Sequence, residues 1–518
     1  MKLIVKPDLK MNLNGKPCRK KCAAFLLCAG LLLLGGCAEL VEERPLEDLS
    51  DYTIEPKTGA PDQDAYVDQT EWMTLYFLSE NGGRLVPVNR EVTLSGGQSR
   101  AQAAFEALLA GPAEGEAGAF WPDETGARAR SFELSDGVAT VNLPARYRVL
   151  EPEKLFAVRL AVATTLSELP EISYVNVLVG GREEGLDLGA TLPVGTLSRV
   201  DDLDVTARYG RLNDQRQNET GFSCLTTLYF PVAGGEWLLP IVRSVVYAQA
   251  EPVDYLYTLL SELGKGTSHE LAAGDVPAPL DYIEEMPEIV RPEDGANRAI
   301  EIRFSREIET ALSDAGLNLG IYMAMLTDTL MGFVPGVEGL QVYIGGERLE
   351  RLDGQQTPDG REILFEQGLA AREDFDGYAG APGILYVGAG EAGGLMSMRR
   401  VLPQARQSEP RELLLSLMEL SAQGYTALPA GLSQEDILAV RVEEEALTVN
   451  LSSAFGDALM ALTAPQARVA VYAMVNTLTE GRDQQSVVFF FDGEQLDTLA
   501  GGLNLRGGLL RNPGMVVN

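Results

Sequence analysis

Few residues of this chain have the types and spacing that catalysis or metal binding requires. The single histidine, His269, could act as a general base, so a Ser-His-Asp or Cys-His enzyme would have to use it. Clusters such as Glu284-Glu285 and Glu443-Glu444-Glu445 could act as paired carboxylates or bind Ca²⁺. Because the chain holds 75 acidic residues, such clusters arise by chance. We interpret His269 as a solvated loop residue and the clusters as solvated faces, and predict neither a metal site nor enzymatic activity.

The segment Leu94-Ser95-Gly96-Gly97-Gln98 matches the signature of ABC-transporter ATPases letter for letter. In those proteins it faces a nucleotide that a P-loop holds, and a P-loop needs the spacing GxxxxGK[ST]. The segment Gly264-Lys265-Gly266-Thr267 has Leu259 where the first glycine would be needed. We therefore predict a glycine-rich loop at residues 94–98, no nucleotide and no cofactor.

The charge balance is strongly acidic and excludes one class of partner. The chain has 518 residues, and 42 Lys and Arg against 75 Asp and Glu give a formal net charge of −33. A nucleic-acid binder needs basic patches that neutralise phosphates, so we predict no nucleic-acid partner. The imbalance also disfavours broad adhesion to anionic lipid. The content of 45% hydrophobic and 23% charged residues favours a folded chain of about three domains.

The N-terminus has the pattern of an export signal. Seven Lys and Arg against one acid precede an apolar run that ends in Leu34-Gly35-Gly36-Cys37 and is too short to span a bilayer comfortably. Leu34, Gly35, Gly36 and Cys37 resemble a bacterial lipobox, which implies cleavage before Cys37 and diacylation of its thiol. The alternative is an ordinary secretory signal with an incidental cysteine. We predict a lipoprotein signal peptide at 1–36 and a lipid anchor at Cys37 on the extracytoplasmic face of the cell membrane.

Cleavage would change the inventory of charges and cysteines. Residues 1–36 hold seven bases and one acid, so 35 bases and 74 acids would remain, for a net charge of −39. Of the cysteines only Cys37 and Cys224 would remain, which leaves no intrachain disulfide once Cys37 carries lipid. Cys224 leads into an apolar segment and is expected to be a small buried hydrophobe. Residues 37–70 contain ten acids, two bases and three prolines, and are predicted to be an acidic flexible tether.

The remainder of the chain repeats itself about three times. A strand motif marks the start of each copy, as Thr74-Leu75-Tyr76-Phe77, Thr227-Leu228-Tyr229-Phe230 and Ile384-Leu385-Tyr386-Val387. A helical motif marks a second shared position, as Thr165-Leu166, Thr329-Leu330 and Thr477-Leu478. Each copy is therefore expected to carry the same elements in the same order.

The first copy shows that order most clearly. Two strands from residue 73 precede a short helix at 101–109, and Asp136-Gly137 joins two further strands as a hairpin. Residues three or four apart form one face of a longer helix: Leu155, Val158, Val162, Leu166 and Leu169. The last strand, 174–179, is almost continuously apolar and is predicted to be central in its sheet. Asp294-Gly295 is the equivalent hairpin turn in the second copy, and Thr463 with Gln466 offers a capping box in the third.

We predict an α+β fold of tandem small domains. Each is expected to have a mostly antiparallel sheet of three to four strands with two helices packed on one face. The first domain is placed at 71–200, the second at 224–350 and a divergent third at 384–518. Linkers are predicted at 201–223 and 351–383, where the sequence is rich in polar residues, Gly or Pro.

This order of elements resembles the GerMN domain of bacterial sporulation and germination lipoproteins. The matching features of the first copy are Leu75-Tyr76-Phe77, Leu85-Val86-Pro87, Ala107-Leu108-Leu109-Ala110-Gly111-Pro112, Asp136-Gly137-Val138-Ala139, Thr164-Thr165-Leu166 and Val177-Leu178-Val179-Gly180-Gly181. The resemblance implies a ring-building-motif-like fold and a protein–protein assembly module that is not an enzyme. The second copy departs from the pattern in an insertion-like stretch at 275–298, and the third has Glu443-Glu444-Glu445 where a hairpin glycine belongs.

We therefore expect a lipid-anchored protein whose tandem modules bind envelope or sporulation-complex proteins, in sporulation or spore germination. The first alternative is a lipoprotein that binds a cell-wall glycan, a peptide or a small ligand, which an aromatic-lined cleft between modules would favour. The second alternative is a carboxylate-based glycan hydrolase, which would need two carboxylates facing each other across a deep cleft.

Overall fold

The computed structural model describes residues 53–54, 59–95, 98–116, 118–122, 131–218, 221–248, 251–291, 298–390, 393–403, 409–443, 445–481, 485–499 and 501–517. All of these belong to one compact unit. Two short strands, β1 (Thr53–Ile54) and β2 (Ala65–Tyr66), precede the first of three structural repeats.

The first repeat contains a long hairpin and a separate small sheet. Its elements are β3 (Gln69–Ser79), β4 (Leu85–Leu94), α1 (Arg100–Leu109), β5 (Ala119–Phe120), β6 (Ser131–Ser135), β7 (Val138–Leu143), α2 (Pro152–Leu166), β8 (Tyr174–Val179) and β9 (Leu197–Ser198). The sheet has the order β6-β7-β8-β9, in which only β7 and β8 run parallel. That pair is parallel because α2 carries the chain back across the sheet between them.

The second repeat has the same plan after an additional helix. Its elements are α3 (Val205–Asn218), β10 (Phe222–Pro231), β11 (Leu238–Tyr247), α4 (Pro252–Gly264), β12 (Ile283–Val290), β13 (Ala299–Phe304), α5 (Glu307–Asp314), α6 (Leu319–Met331), β14 (Gly339–Ile344) and β15 (Glu347–Arg348). The insertion-like stretch contains β12, the sheet's edge strand, whose register with β13 shifts twice. The hairpin turn predicted at Asp294-Gly295 lies outside the described residues.

The third repeat follows two short strands, β16 (Arg351–Leu352) and β17 (Ile363–Leu364). Its elements are β18 (Gly380–Gly388), β19 (Leu395–Pro403), α7 (Pro410–Ala422), β20 (Ile437–Val442), β21 (Ala446–Leu451), α8 (Ser453–Met460), α9 (Ala464–Leu478), β22 (Ser486–Phe491) and β23 (Gly508–Leu510). The capping box predicted for the long helix is present, because the Thr463 N–H donates to Gln466 Oε1 at 3.1 Å. Glu443 and Glu445 flank the turn between β20 and β21, and the Glu443 N–H donates to the Ala446 carbonyl.

The α+β class predicted from sequence is confirmed by this architecture. Each repeat has its own apolar core between the long hairpin, the two helices and one face of its sheet. The long helices are buried almost throughout, as their closely spaced apolar residues require. The strand register also shows that the two central strands of each sheet run parallel, which the hairpin signals in the sequence do not reveal.

The prediction of a flexible tether at 37–70 is wrong for its last part. Strand β2 pairs with β20, and β1 pairs with β23, so this segment is joined to both edges of the third repeat's sheet. Between them, Asp64 Oδ1 accepts from the Val440 N–H at 2.8 Å, and the buried Pro61 accepts from Asn450 Nδ2 at 3.0 Å. Local composition missed this because the partners lie almost 400 positions away.

The stretches predicted to be linkers are also structured. Residues 201–223 contain α3 and the start of β10. Residues 351–383 contain β16, β17 and the start of β18, and their Phe365, Phe375 and Tyr378 belong to the second repeat's core. Polar composition suggested linkers here because the apolar residues that pack into a core are few and scattered along these stretches.

Candidate functional site

One hydrogen bond recurs in all three repeats and fixes the long helix to the opening strand. A threonine hydroxyl on the helix accepts from the backbone N–H of the strand's tyrosine, at 2.9 Å for Thr165 with Tyr76, 3.0 Å for Thr329 with Tyr229 and 3.0 Å for Thr477 with Tyr386. These are the two shared positions that the repeat motifs mark. The strand N–H lies on the buried side of the hairpin, where water cannot reach it, and the threonine hydroxyl supplies its acceptor.

The tyrosine hydroxyl takes two different roles. In the first repeat the Tyr76 hydroxyl donates to Glu168 Oε1 at 2.7 Å, and Arg199 pairs with the same carboxylate. In the third repeat the Tyr386 hydroxyl donates to Glu480 Oε2 at 2.7 Å, and Arg511 contacts both groups. Burial, followed by the bond to the carboxylate, raises the pKa of Tyr76 and of Tyr386 to about 12. Both phenols therefore remain protonated donors at neutral pH.

The second repeat lacks this glutamate and uses its tyrosine to contact the first repeat. Gly332 stands three residues after Thr329, where the other repeats have Glu168 and Glu480. A Cβ at Gly332 would lie 3.7 Å from Asn176 Nδ2 of the first repeat's sheet. The Tyr229 hydroxyl lies 3.1 Å from Thr140 Oγ1, on β7. The first repeat's sheet therefore lies within van der Waals range of the position that the glutamate occupies in the other repeats.

A buried ionic cluster completes this contact. Arg372, which is 7% exposed, donates to the Tyr229 hydroxyl at 2.9 Å and lies 3.3 Å from Glu133 Oε2 and from Asp328 Oδ1. Burial raises the pKa of Asp328 to about 7 and also raises the pKa of Glu133, although the guanidinium opposes both shifts. Glu133 belongs to the first repeat, Asp328 and Tyr229 to the second, so one arginine from a predicted linker joins the two.

A second contact lies at the end of β8. Glu183 is buried in a bidentate pair with Arg159, at 2.9 and 2.5 Å, and its own N–H donates to the Met331 carbonyl at the end of α6. Arg148 and Arg182 of the first repeat both pair with Glu338 of the second. Polar groups that would be costly to bury alone are therefore satisfied across the boundary between the repeats.

The three repeats meet at His269, so the prediction of a solvated loop histidine is wrong. His269 Nε2 lies 2.9 Å from Asp136 Oδ2, in the hairpin turn of the first repeat, and its side chain is 18% exposed. Arg399 of the third repeat donates to Asp136 Oδ1 at 3.2 Å and to Glu270 Oε1 at 2.6 Å. Sequence reasoning missed this junction because its members come from three separate repeats.

The other candidate residues do not assemble into a reactive site. Glu284 and Glu285 are exposed on β12, and Glu443 pairs with Arg441. The part of the chain that the structure describes contains no group of three or more His, Cys, Asp or Glu placed to hold a metal ion. Within the segment 94–98, Gly96 and Gly97 lie outside the described residues. Ser99, which follows the segment, caps α1 by accepting from the Gln102 N–H.

The proposed lipid site cannot be located in this structure. Leu34, Gly35, Gly36 and Cys37 lie outside the described residues. Within the described residues, no helix is long and apolar enough to cross a membrane. Cys224 is free and buried, as the sequence predicted, and burial raises the pKa of its thiol to about 11.

The fold and its internal contacts define a protein of repeated α+β modules, of which the first docks its sheet on the tyrosine and long helix of the second. Residues 74–185 and 385–497 match the Germane family model, which is described as sporulation and spore germination. The Germane model thus matches the chain twice, once in the first repeat and once in the third, as expected for a protein with tandem GerMN domains. The Germane family is not a known enzyme family.

The solved structures that are similar to parts of the chain include two from one sporulation protein. The tandem GerMN domains of the sporulation protein GerM from Bacillus subtilis are 16% identical and cover 58% of this chain and all of their own, with a TM-score of 0.22. The first GerMN domain of the same protein is 22% identical and covers 26% of this chain and 98% of its own, with a TM-score of 0.19. No curated protein matches the chain.

Proposed function

We propose that this chain is a lipid-anchored extracytoplasmic protein whose GerMN repeats mediate protein–protein assembly in the cell envelope, in sporulation or spore germination. The observation that carries the proposal is the packing of the first repeat's sheet on Tyr229 and the long helix of the second. Such a contact uses two different surfaces of similar modules. Contacts of that kind can recur from one molecule to the next.

Equivalent surfaces on other repeats are open enough to take part. On the outer face of the second repeat's sheet, Arg303 is 34% exposed and its guanidinium carbon lies 4.1 Å from the centre of the Tyr343 ring. On the first repeat, the Glu168 and Arg199 beside Tyr76 are 27% and 59% exposed. Arg303 pairs with Glu301 on the same face, so a contact between two molecules could oppose the Arg303–Glu301 pair of one to the Arg199–Glu168 pair of the other, with unlike charges facing.

The charge of the chain sets the conditions for assembly. A net charge of −39 after cleavage opposes association of identical acidic surfaces, and salt weakens that repulsion. We expect a monomer in dilute, low-salt solution. Clustering would need attachment to a membrane, which raises local concentration, or a basic protein partner.

The anchor rests on the lipobox pattern at Leu34 to Cys37. The two acyl chains of a diacylglyceryl group attach a protein stably, whereas one chain holds it only marginally. Cells grown with radiolabelled palmitate should label the wild-type protein. The Cys37→Ala substitution should abolish the label, and the variant should either keep its signal peptide or be released from the membrane. If the wild-type protein takes up no label, the lipoprotein assignment fails.

Assembly is tested by crosslinking the lipidated protein on vesicles. Arg303→Glu should reduce intermolecular crosslinks several-fold, because it places a like charge opposite Glu168. Arg351→Glu is the matched control, since it makes the same charge change at a side chain that is 69% exposed and pairs with Glu362. Equal crosslinking of Arg303→Glu, the control and the wild type would argue against assembly through this face.

A second candidate function, ligand binding, is favoured by a cleft of about 1520 Å³ between the three repeats. Its lining includes Phe132 and Trp237 and several carboxylates, among them Glu236 and Glu419. An aromatic and acidic lining suits a basic peptide or a cell-wall peptide with free amino groups. Titration with such a peptide should change Trp237 fluorescence in the wild type and not in Trp237→Phe. An unchanged signal in the wild type would leave assembly as the single candidate.

A further inference from the structure

A second, smaller cavity lies between the first and second repeats and is basic. Its volume is about 390 Å³, and its walls come from α2, β9, α3 and β10. Arg208, Arg211 and Arg216 all line it, and none of the described residues of its lining is Asp or Glu. The pocket lining is therefore positively charged, whereas the chain as a whole, with 75 acids and 42 bases, is negatively charged. We call this cavity the arginine pocket.

Helix α3 supplies the basic side of the arginine pocket. Arg208, Arg211 and Gln215 are three and four residues apart, so they share one face of the helix. Arg211 pairs with Asp202 at 3.0 Å, whereas Arg208 forms no ion pair with any residue that the structure describes. Burial, and then the neighbouring Arg211 charge, lower the pKa of Arg208, and Asp202 opposes this shift. The positive charge of Arg208 is therefore poorly compensated by the protein.

Arg216 carries the strongest sign of a missing anion. It is 2% exposed, and its Nη1 has no hydrogen-bond partner among the described residues. Its Nε donates to the Pro193 carbonyl at 3.3 Å, and the guanidinium carbon lies 3.9 Å from the centre of the Phe222 ring. The neighbouring Cys224 thiol is neutral, because burial raises its pKa to about 11. A buried charge without a counter-charge is strongly destabilising.

The charges and shape of the arginine pocket select the class of anion. Three guanidinium groups against the single carboxylate of Asp202 leave an excess of two positive charges. A phosphomonoester carries about two negative charges near neutral pH, and guanidinium forks match its oxygens in bidentate pairs. The hydroxyl-bearing Ser198 and Ser223 also line the pocket, whose volume suits a small molecule. We propose that the arginine pocket binds a phosphate group, either as inorganic phosphate or as the phosphomonoester of a small molecule.

Calorimetric titration of the full chain in mild detergent at constant ionic strength tests this proposal. Inorganic phosphate and glycerol 3-phosphate represent the two sources of the phosphate group, and citrate represents carboxylates. We expect one saturable site for at least one phosphate ligand. Arg208→Gln should weaken it about tenfold or more, as the loss of a charge-assisted hydrogen bond predicts. Arg351→Gln, which removes the same charge from an exposed surface site, should leave the affinity unchanged.

Arg211→Gln provides a second variant if Arg208→Gln does not fold, because Arg211 is 62% exposed and its loss should be tolerated. It should also weaken phosphate binding. The absence of saturable binding by both phosphate ligands would overturn the proposal. Tighter binding of citrate than of either phosphate would overturn the assignment of the ligand class, and equal losses in Arg208→Gln and Arg351→Gln would reduce the effect to general electrostatics.

Discussion

Replacing Arg372 by Met is the most direct test of the contact between the first two repeats. Arg372 is 7% exposed, and it is the counter-charge for Asp328 and Glu133 and a donor to Tyr229. Methionine keeps most of the apolar stem but leaves the buried Asp328 carboxyl and the partly buried Glu133 carboxyl without this cation. Removing one partner of a buried ion pair typically destabilises a protein by about 3–5 kcal/mol.

The pH decides where in that range Arg372→Met should fall. The pKa of Asp328 is already about 7 with Arg372 present, so in the variant this carboxyl can take up a proton and escape part of the penalty. The burial-raised pKa of Glu133 acts in the same direction. We therefore expect a larger loss of stability at pH 8 than at pH 6.

Urea unfolding, followed by far-ultraviolet circular dichroism, measures the effect at both pH values. Arg351→Met is the matched control, because its surface pair with Glu362 should be worth about 0–1 kcal/mol. The double variant Arg372→Met/Asp328→Asn should recover part of the loss, since it removes one stranded carboxylate. If Arg372→Met lowers the free energy of unfolding no more than the control does, this cluster does not hold the repeats together.

Three further predictions concern single side chains. The folded-state pKa of Asp328, about 7, lies above its ordinary value of 3.8. The stability that its neutral carboxyl contributes is therefore present below about pH 4 and is lost as the pH rises to about 7. In urea titrations the stability advantage of the wild type over Asp328→Asn should decline across that window. Leu326→Ala, at a fully buried position of α6, should destabilise the protein by about 2–5 kcal/mol, and a midpoint within error of the wild type would contradict the core assignment. Thr477→Val leaves the Tyr386 N–H without its acceptor and should cost about 1–3 kcal/mol, whereas Thr206→Val, at an exposed position, should be close to neutral in the same assay.

The repeated elements could be predicted because their signals are local. Leu155, Val158, Val162 and Leu166 define one face of a helix by spacing alone, and that helix is observed at 152–166. Asp136-Gly137 defines a tight turn by its backbone preference, and Asp136 adopts a φ of 46° there. Such patterns depend on neighbours within a few residues, so the order of elements follows from the sequence of each repeat.

The contacts between repeats could not be predicted in this way. By sequence alone Arg372 is one charge in a stretch predicted to be a linker, and its partners Glu133 and Asp328 are 239 and 44 positions away. The acidic segment before the first repeat has the polar composition of a tether, yet Asp64 is held by Val440 and Arg411 of the third repeat. No local pattern encodes which distant edge strand will accept a segment.

Sequence alone therefore determined the number of repeats, their element order, their α+β class and the likeness to GerMN domains. Each of these depends on periodicity and short motifs, which are written into consecutive residues. The tertiary structure alone decided that the first repeat's sheet packs beside Gly332, that His269 joins three repeats and that three arginines of α3 line a pocket. Those features depend on which surfaces come into contact. The free energy of such contacts is set by burial and charge pairing between residues far apart in the chain.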